Sequence, residues 1–116
     1  MQALKLRMRE FAERRDWDQF HAPKNLVMAL AGEAGELIEH FQWLTEAQSA
    51  ALDERTLEHV AAEIADIQIY LARLADKLGV SIADAVECKV LENERRYPAE
   101  RVYGSSRKYT EYGPQE

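Results

Sequence analysis

The sequence predicts an all-α fold of four long helices, with a core completed by association between copies of the chain. Three observations predict it. Apolar residues recur at steps of three and four over four long stretches. No stretch alternates with period two, as a half-buried strand would. Glycines and prolines are few and fall near the ends of the stretches; Gly32 and Gly35, which flank Glu33, are the exceptions. At 116 residues the chain fits one domain.

The first helix is expected over residues 2–15, with Leu4, Met8 and Phe11 on its apolar face. Residues 16–22 break the pattern. Pro23 suits the first turn of a second helix, expected over residues 23–43, with a stripe of Leu26, Leu30, Leu37, Phe41 and Leu44. Residues 45–52 read as a connector with room for one short helical turn. The third helix, over residues 54–78, carries Leu57, Val60, Ile64, Ile67, Leu71, Leu74 and Leu78 as a coiled-coil-like seam. Its opposite side holds Ala62, Ala65, Ile69 and Ala72, and a helix apolar on most sides is buried on most sides. In so short a chain, partner subunits must supply part of that cover. Gly79 suits the C-terminal cap of this helix. Ser81 and Asp84 form a capping-box pattern for the fourth, which runs to residue 96 before Pro98 stops it. Residues 1–98 then make the domain, and residues 99–116 a polar, irregular arm.

Net charge is -6, and the pI is about 5.1. No basic face is evident, so a nucleic-acid polymer is not an expected partner. The one cysteine, Cys88, cannot form an intramolecular disulfide. The first eleven residues lack the apolar core of a signal peptide, and no apolar run reaches transmembrane length. The expected location is cytoplasmic.

Charged residues on apolar faces carry the functional information. Glu33 falls inside the leucine stripe of the second helix, and Glu36 lies one turn on. Glu63 sits beside the seam of the third helix, with Asp66 three residues later and Tyr70 four after that. A lone buried carboxylate takes a proton or finds a cation. If the two helices pack side by side, the four groups converge. All-carboxylate ligation suits magnesium or manganese rather than zinc, and magnesium points to phosphate chemistry. On the fourth helix Ile82, Val86, Lys89, Asn93 and Tyr97 share a stripe, so Lys89 and Asn93 are expected to point inward. Trp17, Phe20, His21, Trp43 and Tyr70 are candidates for holding a base or a phosphate.

Two other readings compete. A di-iron bundle needs Glu-x-x-His pairs, and neither His40 nor His59 has that spacing from Glu36 or Glu63. A non-catalytic dimerisation module explains the seam but leaves Glu33 and Lys89 on apolar stripes without a reason.

The pairs Glu33-x-x-Glu36 and Glu63-x-x-Asp66 resemble the metal motif of the MazG-like all-α NTP pyrophosphohydrolases. The flanking words resemble the dCTP pyrophosphatase branch: Arg15-Asp16-Trp17-Asp18-Gln19-Phe20-His21, the run LAGEAGE from Leu30 to Glu36, Phe41-Gln42-Trp43, Arg95-Arg96-Tyr97-Pro98, and Ser105-Ser106-Arg107-Lys108-Tyr109-Thr110. The likeness extends over nearly the whole chain. It implies cleavage between the α and β phosphates, giving a nucleoside monophosphate and pyrophosphate. It implies Glu33, Glu36, Glu63 and Asp66 as magnesium ligands; these four are the expected catalytic residues, and as a mechanistic hypothesis Glu36 or Glu33 takes the proton of a metal-bound water. Trp17, His21, Trp43, Tyr70, Lys89, Asn93 and Tyr97 match substrate-contacting positions. The substrate expected first is dCTP or a modified dCTP, with dUTP or another non-standard nucleotide as alternative. A homodimer or homotetramer is the implied assembly. The chain departs from vertebrate relatives at Met8, where they carry a histidine, and in a shorter connector over residues 45–53.

Overall fold

The computed structural model describes residues 2–105, and every regular element among them is helical. The helices are α1 (Gln2–Arg14), α2 (Pro23–Glu39), α3 (Glu46–Ser49), α4 (Glu54–Leu78), α5 (Ile82–Arg96) and α6 (Ala99–Val102), with one 3₁₀ turn, Asp18–Phe20, between α1 and α2. The fold is thus all-α, and its four long helices are those the periodicity predicts. The chain forms two compact units, one ending at Ser81 and the other beginning at Ile82. No helix of the described residues is long and apolar enough to cross a membrane.

In the first unit α4 packs against both α1 and α2. Its ends are well defined. The Asp53 carboxylate accepts the Thr56 amide at 2.7 Å, filling one orphan donor of the first turn. Gly79 adopts φ 67°, and the Val80 amide then reaches back to the Ala75 carbonyl at 2.9 Å. The buried Lys5 ammonium donates to the Val80 carbonyl at 2.8 Å, tying α1 to the negative end of α4.

α2 ends at Glu39, earlier than the stripe suggests, and residues 40–43 tighten into turns. The reason lies just downstream. Thr45 and Gln48 form a reciprocal capping box that starts α3, with Thr45 Oγ1 accepting from the Gln48 amide at 3.1 Å and Gln48 Oε1 from the Thr45 amide at 2.9 Å. That cap holds Thr45 extended, so the helix before it must unwind.

The buried apolar core is small: Ala12, Leu26, Val60, Ala72 and Ala75. The expected seam of α4 divides. Val60 is buried and Ile67 and Leu74 are half-buried, but Leu57, Ile64, Leu71 and Leu78 stay exposed. Ala12 of α1 and Ala72 and Ala75 of α4 are buried instead, and side chains this small permit close helix contact. The packed face of α4 thus takes in Val60, Ile67 and Leu74 and leaves Leu57, Ile64, Leu71 and Leu78 outside it.

In the second unit α5 runs as expected to Arg96. Pro98 then starts a further turn, accepting the Arg101 amide at 2.9 Å, so α6 stands where irregular chain was expected. Residues 106–116 of the expected arm, including Arg107, Lys108, Tyr109 and Thr110, lie outside the described residues.

Candidate active site

Glu36 lies beside Glu63, and His40 beside His59, so rising numbers on α2 meet falling numbers on α4 and the two helices are antiparallel. One carboxylate oxygen from each of Glu33, Glu36 and Glu63 falls within 4.8 Å of the other two. Asp66 is not among these three, although its charge acts on Glu33. Burial first, then the charges of Glu36 and Asp66, raise the pKa of Glu33 above the ordinary glutamate value. Oε2 of Glu33 and Oε2 of Glu63 are buried without a hydrogen-bond donor. Buried polar atoms are nearly always partnered, so two donorless oxygens in one cluster fit a cation that is not part of the chain. The donors are all carboxylate oxygens, a set suited to a hard divalent ion. His40 Nε2 stands 3.9 Å from Glu63 Oε1, and its ring stacks on His59 with centroids 5.9 Å apart, beside the cluster.

Asp66 also lines a cavity of about 190 Å³. Met8 and Phe11 of α1, Trp17 and His21 of the following segment, and Ile69, Tyr70 and Arg73 of α4 form the rest of its wall. The segment that brings Trp17 and His21 there is set by Asp16, which takes φ 54° after α1 and turns the chain back. Trp17 then donates its amide to Ala12 at 2.9 Å, and the Gln19 amide group bridges to the Asp16 carbonyl at 3.0 Å. Trp17 meets Phe11 edge to face, with centroids 5.7 Å apart, while the Arg15 guanidinium covers the Phe11 ring at 3.6 Å.

Arg73 was not singled out by the sequence, although Asp66, Tyr70 and Arg73 follow each other by four and three and so share a face. It is only 3% exposed. Its Nε donates to His21 Nδ1 at 3.0 Å, its Nη1 to Asp76 Oδ2 at 3.1 Å, and its Nη2 to Asp18 Oδ1. Lys77 also reaches Asp18, at 2.6 Å, and Arg9 grips Asp76 with two nitrogens at 3.0 and 2.5 Å. Asp18 is held below the usual carboxylate range, chiefly by Lys77, and Asp76 chiefly by Arg9. His21 is pushed below the ordinary histidine value by burial and then by the Arg73 charge, which Asp18 partly opposes.

Of the remaining expected residues, Trp43 lies in the first unit and Lys89, Asn93 and Tyr97 in the second. Trp43 is 86% exposed and takes no part in lining the cavity. In the second unit, taken by itself, Val86, Lys89 and Asn93 are exposed. Lys89 pairs with Glu92 at 3.3 Å on its own helix, and Glu92 pairs in turn with Arg96 at 2.6 Å. Such pairs one turn apart hold a charged stripe in solvent. Tyr97 is half-buried and donates its amide to the Asn93 carbonyl at 2.8 Å.

A family model described as the MazG-like family matches residues 29–112. The dCTP pyrophosphatase 1 of Homo sapiens is 48% identical over 104 residues, which cover 88% of this chain and 61% of that protein. Its Bos taurus counterpart is 46% identical, covering 88% and 62%. The chain thus spans about three fifths of the length of these relatives. The crystal structure of a pyrophosphatase from Archaeoglobus fulgidus superposes with a TM-score of 0.79 at 39% identity, covering 84% of this chain and 92% of that one.

Proposed function

The chain belongs to the MazG-like family, and from that premise we propose that it hydrolyses dCTP or a modified dCTP to the monophosphate and pyrophosphate. The observation that carries the reading is the pair of donorless oxygens on Glu33 and Glu63, together with an aromatic cavity lined by Asp66, whose charge acts on Glu33. Relatives named for dCTP hydrolysis support the substrate.

In this reading Glu33, Glu36, Glu63 and Asp66 would hold magnesium, with manganese as substitute. Bound there, magnesium offsets triphosphate charge and lowers the pKa of a water. Glu33 or Glu36 accepts the proton that the attacking water gives up. Trp17 and Tyr70 flank the base, Met8 adds apolar contact, and His21 meets a polar edge. Trp43 and, on α5, Lys89, Asn93 and Tyr97 complete the proposed substrate set on resemblance alone. Residues 1–98 make up the proposed catalytic domain, with 99–116 as its arm.

The proposal includes a homodimer or homotetramer. Its support is the exposed row of Leu57, Ile64, Leu71 and Leu78, an apolar edge with the repeat of a helix-pairing surface. A cytoplasmic location completes it, in keeping with the single cysteine and the lack of a membrane-spanning helix among the described residues.

The test is pyrophosphate release from a panel of dNTPs and NTPs, with and without magnesium. Magnesium-dependent release from dCTP with dCMP as co-product is the expected result. Release from dUTP or another nucleotide instead would replace the base preference and keep the chemistry. No release from any of them would leave a helical association module.

A further inference from the structure

We propose that Arg73 is the positioning residue of the cavity: it fixes His21 as the Nε2–H tautomer, so that ring offers a bound base a hydrogen-bond donor and no acceptor. The inference rests on reading the cavity as the base pocket. Its geometry is independent of that reading.

A guanidinium has only N–H donors and keeps its charge at any ordinary pH. The 3.0 Å contact from Arg73 Nε to His21 Nδ1 therefore requires a lone pair on Nδ1. A neutral imidazole carries one N–H, and with Nδ1 accepting, that hydrogen must sit on Nε2. Protonating Nδ1 would set N–H against N–H in a buried place. Arg73 cannot swing aside to relieve it. Its other two nitrogens are engaged by Asp76 and Asp18, and the side chain is buried.

The same guanidinium holds both ends of one short segment. Asp18 opens the 3₁₀ turn and His21 follows it directly, so Arg73 fastens to α4 the piece of chain that also carries Trp17. Lysine could not replace it, because a single ammonium does not give three directed bonds in one plane. The charged groups near His21 are Arg73 and Lys77, which disfavour a second proton, and Asp18, which favours one. The balance lies with the neutral ring.

Since Nδ1 is taken, Nε2 is the ring nitrogen left to a ligand in the cavity that His21 lines. A fixed donor selects a carbonyl oxygen or an unprotonated ring nitrogen on the base and disfavours an N–H at that point. Sites built on a fixed hydrogen-bond partner discriminate strongly against an analogue that cannot answer it.

The first test needs no nucleotide: nitrogen NMR of histidine-labelled protein between pH 8 and pH 6. The expected result is an unprotonated Nδ1 and a protonated Nε2 on His21 throughout; a protonated Nδ1 overturns the proposal even if the enzyme is active. The second test is a cycle of Arg73→Gln, Arg73→Lys and His21→Ala. Each Arg73 variant is expected to raise KM about tenfold, the loss of roughly one well-placed hydrogen bond. kcat and the half-saturating magnesium concentration should change little, with no further rise in KM when His21 is already alanine. Additive losses in the cycle would mean Arg73 does not act through His21. Should the Arg73 variants fail to fold, the tautomer measured on the unaltered protein decides.

Discussion

Along α4, Glu63 acts together with the carboxylates of α2, whereas Arg73, Asp76 and Lys77 engage Asp18, His21 and Arg9. In the first region like charges crowd, and two buried oxygens have no donor. In the second, opposite charges alternate, and all three nitrogens of a buried guanidinium are bonded. The same helix thus carries a satisfied network and an unsatisfied one within a few turns. The satisfied network holds chain to chain. The unsatisfied one leaves two buried carboxylate oxygens open to a cation, which is why it marks the candidate site.

The contrast can be broken by mutation. Glu63→Ala should lower pyrophosphate release by more than the ~10–100-fold typical of changes around a metal's ligands. Asp76→Asn, in the satisfied network, should leave the magnesium requirement as it was. Assays of release against magnesium concentration check both, and a Glu63→Ala variant with full turnover would remove the carboxylate scheme.

Thermal unfolding should sharpen the difference next. Magnesium at a hundred times its Kd stabilises the folded state by about 2.7 kcal/mol. For a domain of this size that is on the order of 10 °C in Tm. Calorimetry should show the shift in the unaltered protein and in Asp76→Asn, and lose it in Glu33→Gln with Glu63→Gln.

In chelator the two regions should respond to pH with opposite sign. Glu33 has a raised folded pKa, so its contribution is fullest at low pH and is lost as pH rises through that value, above the ordinary glutamate range. Asp18 and Asp76 have depressed folded pKa values, so theirs is present at neutral pH and lost as pH falls through those values. Tm measured against pH should therefore decline on both sides. Glu33→Gln should flatten the upper limb and Asp76→Asn the lower one.

The smallest effects belong to two glycines outside both networks. A side chain at Gly79 meets no atom, yet at φ 67° alanine costs about 1 kcal/mol of backbone strain. Gly32 is helical with open space around it, so Gly32→Ala should stabilise by about 0.5–1 kcal/mol. Denaturant midpoints that move in opposite directions, with magnesium half-saturation unchanged, would confirm that neither belongs to the contrast.

These differences explain what the sequence disclosed. Glu33 was legible because a carboxylate inside a leucine stripe violates a local period. Arg73 was not, because an arginine followed by Asp76 and Lys77 reads as an ordinary polar face, and its partners Asp18 and His21 are more than fifty residues away. The seam of α4 was legible as a pattern but not as a direction. Periodicity shows that Leu57 and Leu71 share an edge, but not that Ala12 and Ala72 are buried while that edge stays exposed. Trp43 follows from the same limit, since the capping box at Thr45 ends α2 before that ring can lie along it.

The self-contained cap of α3 has a use at the bench. Thr45 and Gln48 satisfy each other, so this short helix takes nothing from the carboxylates on either side of it. Residues 50 and 51, exposed just beyond, can therefore receive an inserted peptide, a tag or a cleavage site with α2 and α4 still in register. Lengthening a loop costs only about 0.6 kcal/mol per doubling. The stretch between the two carboxylate pairs is thus a place for a handle on the protein.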